Sequence, residues 1–164
     1  ESMALSLIIC MRVFKLNYNL IKIINRVLEL KNNKFALSHE YMIKNTSSPD
    51  ELISLIVKGM EDIKGENIVL LDLRNIENTV CDYFIICDGN SNTQVNAITG
   101  SIQKNVSKSI QEKPYQIEGT ENAEWVLIDY VNIVVHVFQK HKRAYYDIEN
   151  LWGDADITEI ETSY

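Results

Sequence analysis

Three aspartates, Asp82, Asp88 and Asp129, lie in or beside apolar runs. Strand-borne acids of this kind hold magnesium in nucleotidyl-transfer enzymes. Two-metal chemistry needs carboxylates that converge within a few ångströms. A D-x-D pair on one strand would achieve that, because alternate residues share a face. These runs contain no such pair, and Asp154-Ala155-Asp156 falls beyond Gly153, outside the regular segments. A magnesium-dependent nucleotidyltransferase built on Asp82, Asp88 and Asp129 is therefore the weaker reading, and neither a metal nor a cofactor is expected.

His136 sits inside Val134-Val135-His136-Val137-Phe138. No serine or cysteine is placed by an elbow motif, so a catalytic triad cannot be argued. A lone histidine in an apolar strand is more often structural, but strand alternation puts Asn132, Val134, His136 and Phe138 on one face. If that face is open, His136 belongs to a contact surface. Asp88-Gly89-Asn90-Ser91 could present backbone amides to an anion. The same residues make an ordinary strand-to-helix turn with a serine cap. Neither GxGxxG nor GxxxxGK occurs in the chain.

The aromatics Trp125, Tyr130, Tyr145, Tyr146 and Trp152 divide between core and contact roles. Trp125 opens its strand after Glu121, Asn122 and Glu124. An aromatic rimmed by Glu118, Glu121 and Glu124 suits a basic partner. Overall charge agrees. Residues 1–41 carry six Lys/Arg against three Asp/Glu, and residues 42–164 carry ten against twenty, which gives +3 and −10. An acidic body argues against phosphate-driven binding to nucleic acid, DNA included, which needs lysine and arginine to displace counterions. The three cysteines, Cys10, Cys81 and Cys87, form no CxxC pair. That pattern points to buried thiols in a reducing, cytoplasmic setting.

These residues need elements to position them. Ser48-Pro49-Asp50-Glu51 is a helix start, with a cap, a first-turn proline and two acids at the positive end. Leu52, Leu55, Ile56, Met60 and Ile63 recur at helical spacing, and Lys64-Gly65 ends the run. Residues 68–73 and 83–87 read as strands. Ser91 caps a long helix whose stripe is Val95, Ile98, Ile102, Val106 and Ile110. Gly100 weakens that helix modestly and is its candidate close-packing point. A short strand near Tyr115, strands at 125–130 and 133–138 with a tight connection at Val131-Asn132, and one helix over 143–151 complete the order. Residues 154–164 read as an acidic, mobile tail. Residues 1–41 read as an N-terminal extension with the pattern of a basic amphipathic helix, too short in its apolar run to span a membrane. The domain proper covers residues 42–153. The class is α/β, a mixed sheet flanked by helices.

Four segments in order carry a resemblance: DIKGENIVLLDL, CDYFIICDGNSNTQVNAI, EGTENAEWVLIDYVNIVVHVF and YYDIENLWGDA. From about Asp62 to Ala155 the chain resembles the ribosome silencing factor family, also called Iojap-related proteins. The resemblance implies a degenerate nucleotidyltransferase-like fold without catalysis. It also implies binding to the large ribosomal subunit through its fourteenth protein, a block to subunit joining, and repressed translation. Organelle relatives assist large-subunit assembly. A minor contact to ribosomal RNA and a homodimer are compatible with it. Carried over by motif, the implied contact residues are Glu118, Gly119, Glu124, Trp125, Asp129, Tyr130, His136 and the terminal Leu151, Trp152, Gly153 and Asp154. The family often has Gly-Asp where this chain has Val131-Asn132, which removes an acid and a flexible residue.

Overall fold

The computed structural model describes residues 48–76, 79 and 81–162. The readings made on residues 1–41 and on Cys10 lie outside them. Helix α1 (Pro49–Glu61) starts as its sequence dictates, with the Ser48 hydroxyl accepting from the Glu51 amide at 3.2 Å. It ends at Glu61, and the chain turns through Lys64 at φ 54° while the Gly65 amide donates back to the Met60 carbonyl. Strands β1 (Glu66–Asp72) and β2 (Tyr83–Gly89) follow. Helix α2 (Asn92–Ile110) is capped by Ser91, whose hydroxyl accepts from the Gln94 amide. Next come β3 (Gln116–Glu118), β4 (Trp125–Asp129) and β5 (Ile133–Gln139).

The sheet has six strands in the order β3-β4-β5-β2-β1-β6, with β6 at Asp156–Glu159. Only β2 and β5 run parallel, so the mixed sheet expected from the sequence is present. Helices α1 and α2 cover one face. Their stripes, Leu52, Ile56 and Met60 with Val95, Ile98, Ile102 and Val106, pack against Ile85, Cys87, Val126, Ile128, Val135 and Val137. Burial of β-branched and leucine side chains on this scale supplies the main stabilisation, roughly 1.5–3 kcal/mol per side chain. Among the described residues no helix is long and apolar enough to cross a membrane.

Four expectations are corrected. Gly100 meets nothing within 4 Å; the close approach of α1 and α2 is at Gly59, where a Cβ would lie 2.6 Å from the Ile102 Cα. The helix expected over 143–151 is two short ones, α3 (Lys140–Tyr146) and α4 (Ile148–Leu151). Asp147 breaks it in a left-handed conformation, φ 45° and ψ 53°, which a short polar side chain tolerates better than most. The acidic tail is not free: Asp156–Glu159 pairs antiparallel with β1, from Asp72↔Asp156 to Val69↔Glu159. All four of its residues are exposed, so no alternating apolar pattern announces it. The fourth is Tyr130, which is buried in the core.

The β4–β5 connection is under strain. Val131 has φ 74°, and the Asn132 amide donates to the Tyr130 carbonyl, which together make a γ-turn. A β-branched residue is poorly suited to positive φ. Val131→Gly is therefore expected to stabilise the fold by about 1 kcal/mol, after the extra chain entropy of glycine is subtracted. Urea denaturation reads this directly, and a lower midpoint in the variant would refute the strain.

Candidate functional site

The second sheet face carries the residues singled out in the sequence. Register places Glu118 opposite Leu127, Leu127 opposite His136, Trp125 opposite Phe138, and Asp129 opposite Val134. Cross-strand partners share a face. Glu118, Trp125, Asp129 and His136 therefore stand together, on the face opposite α1 and α2. Tyr130 follows Asp129 and has the other parity. It is 2% exposed and belongs to the helix-side core, so the contact role expected for it is corrected to packing.

Aromatic rings dominate this face. Trp125 stacks on Phe138 with centroids 4.8 Å apart and meets Tyr146 at 5.0 Å. Phe84 stands edge-on to His136 at 4.8 Å and to Trp152 at 5.4 Å. Tyr146 in turn meets Tyr145 edge-on at 5.1 Å. Such pairs contribute about 0.5–1.5 kcal/mol each beyond burial, and they fix ring orientation. Trp125 and Trp152 are half-buried, while Tyr145 is 58% and Leu151 45% exposed. Sequence reasoning missed Phe84, which the pairing of β2 with β5 sets beside Val134 on this face.

His136 is locked rather than reactive. It is 4% exposed, and its Nδ1 accepts the indole N–H of Trp125 at 3.2 Å. That bond places the ring proton on Nε2, which is buried without a hydrogen-bond partner. Burial pulls the imidazole from its ordinary 6.5 down to about 3, so it is neutral at physiological pH. A neutral, sealed imidazole cannot reach a substrate as general base. Burial likewise pushes the Cys81 and Cys87 thiols far up, away from nucleophilic thiolates.

The acids do not converge. Asp82 and Asp88 are six residues apart along β2, roughly 20 Å at strand rise. Asp88 is 1% exposed and forms an ion pair with Arg143 at 2.6 Å, with the Asn67 amide donating at 3.1 and 3.2 Å. Asp129 accepts the Val131 amide at 2.7 Å and so caps the strained turn. Among the described residues no group of three or more His, Cys, Asp or Glu side chains is placed to hold a metal ion. Glu124 pairs with Lys142 at 3.1 Å, and Glu118 accepts from Gln116. Gly119 contributes backbone: its φ is 86°, and its carbonyl accepts from the Ala123 amide. Among the described residues the arrangement presents a braced aromatic surface.

A family model described as "Ribosomal silencing factor during starvation" matches residues 46–163. A ribosomal silencing factor of Halalkalibacterium halodurans is 45% identical over 114 residues, covering 70% of this chain and 96% of that protein. A crystal structure of a Chromobacterium violaceum protein is similar with a TM-score of 0.61 at 35% identity, covering 72% of this chain and 92% of that one. A more distant mouse relative, named for mitochondrial assembly of the ribosomal large subunit, is 30% identical over 73 residues, 43% of this chain and 32% of that protein. With the family's pattern matched from before α1 to beyond β6, the chain belongs to the ribosomal silencing factor family.

Proposed function

We propose that the chain represses translation by docking on the large ribosomal subunit, through that subunit's fourteenth protein, where it occupies space the small subunit needs. It does so in the cytoplasm and without catalysing a reaction. One observation carries the reading: Trp125 is only partly buried yet braced by Phe138, Tyr146 and the His136 hydrogen bond. An aromatic held in place before binding loses little conformational freedom on docking, which is how hot-spot residues gain affinity. The excess of acid over base across residues 42–164 favours a basic partner and speeds encounter.

Co-sedimentation of the full chain with purified large and small subunits tests the reading. Binding is expected to the large subunit alone, with loss of small-subunit joining. Trp125→Ala should weaken it about tenfold or more while the variant still unfolds cooperatively. Unchanged affinity would sink Trp125 as the anchor. A second reading, assistance to large-subunit assembly, is favoured by the name of the mouse relative. It uses the same surface, and it would show as preference for precursor over mature subunits.

A further inference from the structure

The segment that carries Tyr145, Tyr146 and Trp152 has little regular structure of its own. Helix α3 is seven residues long and buries none of them, and α4 is four residues long and buries Ile148. Helices this short have no independent stability in water. Ring contacts of Tyr146 and Trp152 and the Lys142–Glu124 pair help tie them to the sheet, and the most buried polar tie is Arg143. Its Nη1 donates to the Asn67 carbonyl of β1 at 2.5 Å and to Asp88 of β2 at 2.6 Å. Its Nε donates to Glu149 of α4 at 2.7 Å, and its Nη2 lies 2.6 Å from the same carboxylate oxygen. The Arg143 carbonyl also accepts the Asp147 amide at the break between the helices. One planar guanidinium thus fixes α3 to two strands and sets the angle of α4.

We propose that Arg143 is the positioning residue of the docking surface. By clamping α3 and α4 it holds Tyr146 against Trp125 and Trp152 against Phe84. The proposal rests on the docking reading for its consequence and on the clamp geometry for its mechanism. A lysine cannot replace it, because an ammonium lacks the fork that spans Asp88 and Glu149 together. Asp88 is almost fully buried, so the pairing is obligatory for that carboxylate. Glu149 is the adjustable arm, with 21% of its side chain exposed.

The chain has two tryptophans, Trp125 and Trp152, and both lie in the site. The full chain labelled with 5-fluorotryptophan therefore gives two fluorine resonances, one reporting each side of the surface. Arg143→Lys is expected to shift or broaden both lines and to weaken large-subunit binding about tenfold. Glu149→Gln leaves Asp88 paired and keeps the test valid should Arg143→Lys unfold. It should move the Trp152 line, leave the thermal midpoint near that of the parent, and weaken binding several-fold. Unmoved lines in Glu149→Gln, or parental affinity despite moved lines, would overturn the proposal. If the parent chain itself fails to bind large subunits, the docking reading falls, and moved fluorine lines would still support the clamp.

Discussion

Gly119→Ala is expected to lower stability by about 3 kcal/mol or more, measured as a loss of denaturation free energy at unchanged slope. Two independent effects add. At φ 86° an alanine suffers the left-handed penalty that glycine escapes, about 1–2 kcal/mol. Its Cβ would also lie 2.0 Å from the Trp125 carbonyl oxygen and 3.1 Å from the carbonyl carbon. Both atoms are backbone, so no rotamer change relieves the clash. Trp125 cannot retreat easily either, because it is paired with Phe138 across β4 and β5 and the Glu124 carbonyl accepts the Gln139 amide. The strand that carries Trp125, the proposed anchor, is thus seated against Gly119. The variant should lose large-subunit binding in proportion to its unfolded fraction. A stable Gly119→Ala variant that had lost binding would instead make Gly119 a direct contact.

Much of this architecture was legible from residue types. Ser48-Pro49-Asp50-Glu51 announces α1, and the β-branched run at 133–135 announces β5, because capping and side-chain stiffness are local physics. Parity along β4 separates Trp125 and Asp129 from Tyr130, so the placement of Tyr130 in the core was available from spacing alone. The clamp was not. Asp88 and Arg143 are 55 residues apart, and no periodicity links a strand end to a short helix. An aspartate inside an apolar strand signals that a cation must find it, without saying which one. Strand β6 stayed hidden for the opposite reason. Its exposed side chains carry no burial pattern, and its partner is the backbone edge of β1.

His136 should make the fold acid-sensitive well before its carboxylates are titrated. Its ordinary value of 6.5 applies to the unfolded chain, and burial holds it near 3 in the folded one. Above pH 6.5 both states carry a neutral ring, and the group contributes no pH dependence. Below it the unfolded chain takes up a proton that the native state refuses, so stability falls as pH drops from 6.5 towards 3. At pH 5 the loss from this one residue is about 2 kcal/mol. Protonation also has a structural consequence, because a proton on Nδ1 would face the Trp125 indole N–H and break the bond between them. Asp72 is held low by Arg74, and Glu66 by Asn90 and Lys140, so both add to acid loss only at lower pH. The window from pH 7 to 5 isolates the histidine. His136→Gln keeps an acceptor for the indole and cannot titrate, so its stability should fall by about 2 kcal/mol less than the parent's across that window. Equal slopes in the two proteins would show that the buried imidazole is not the acid-sensitive group. A steeper parental slope, together with a change in tryptophan fluorescence as the parent is acidified, would tie the loss to the Trp125–His136 bond that braces the proposed docking surface.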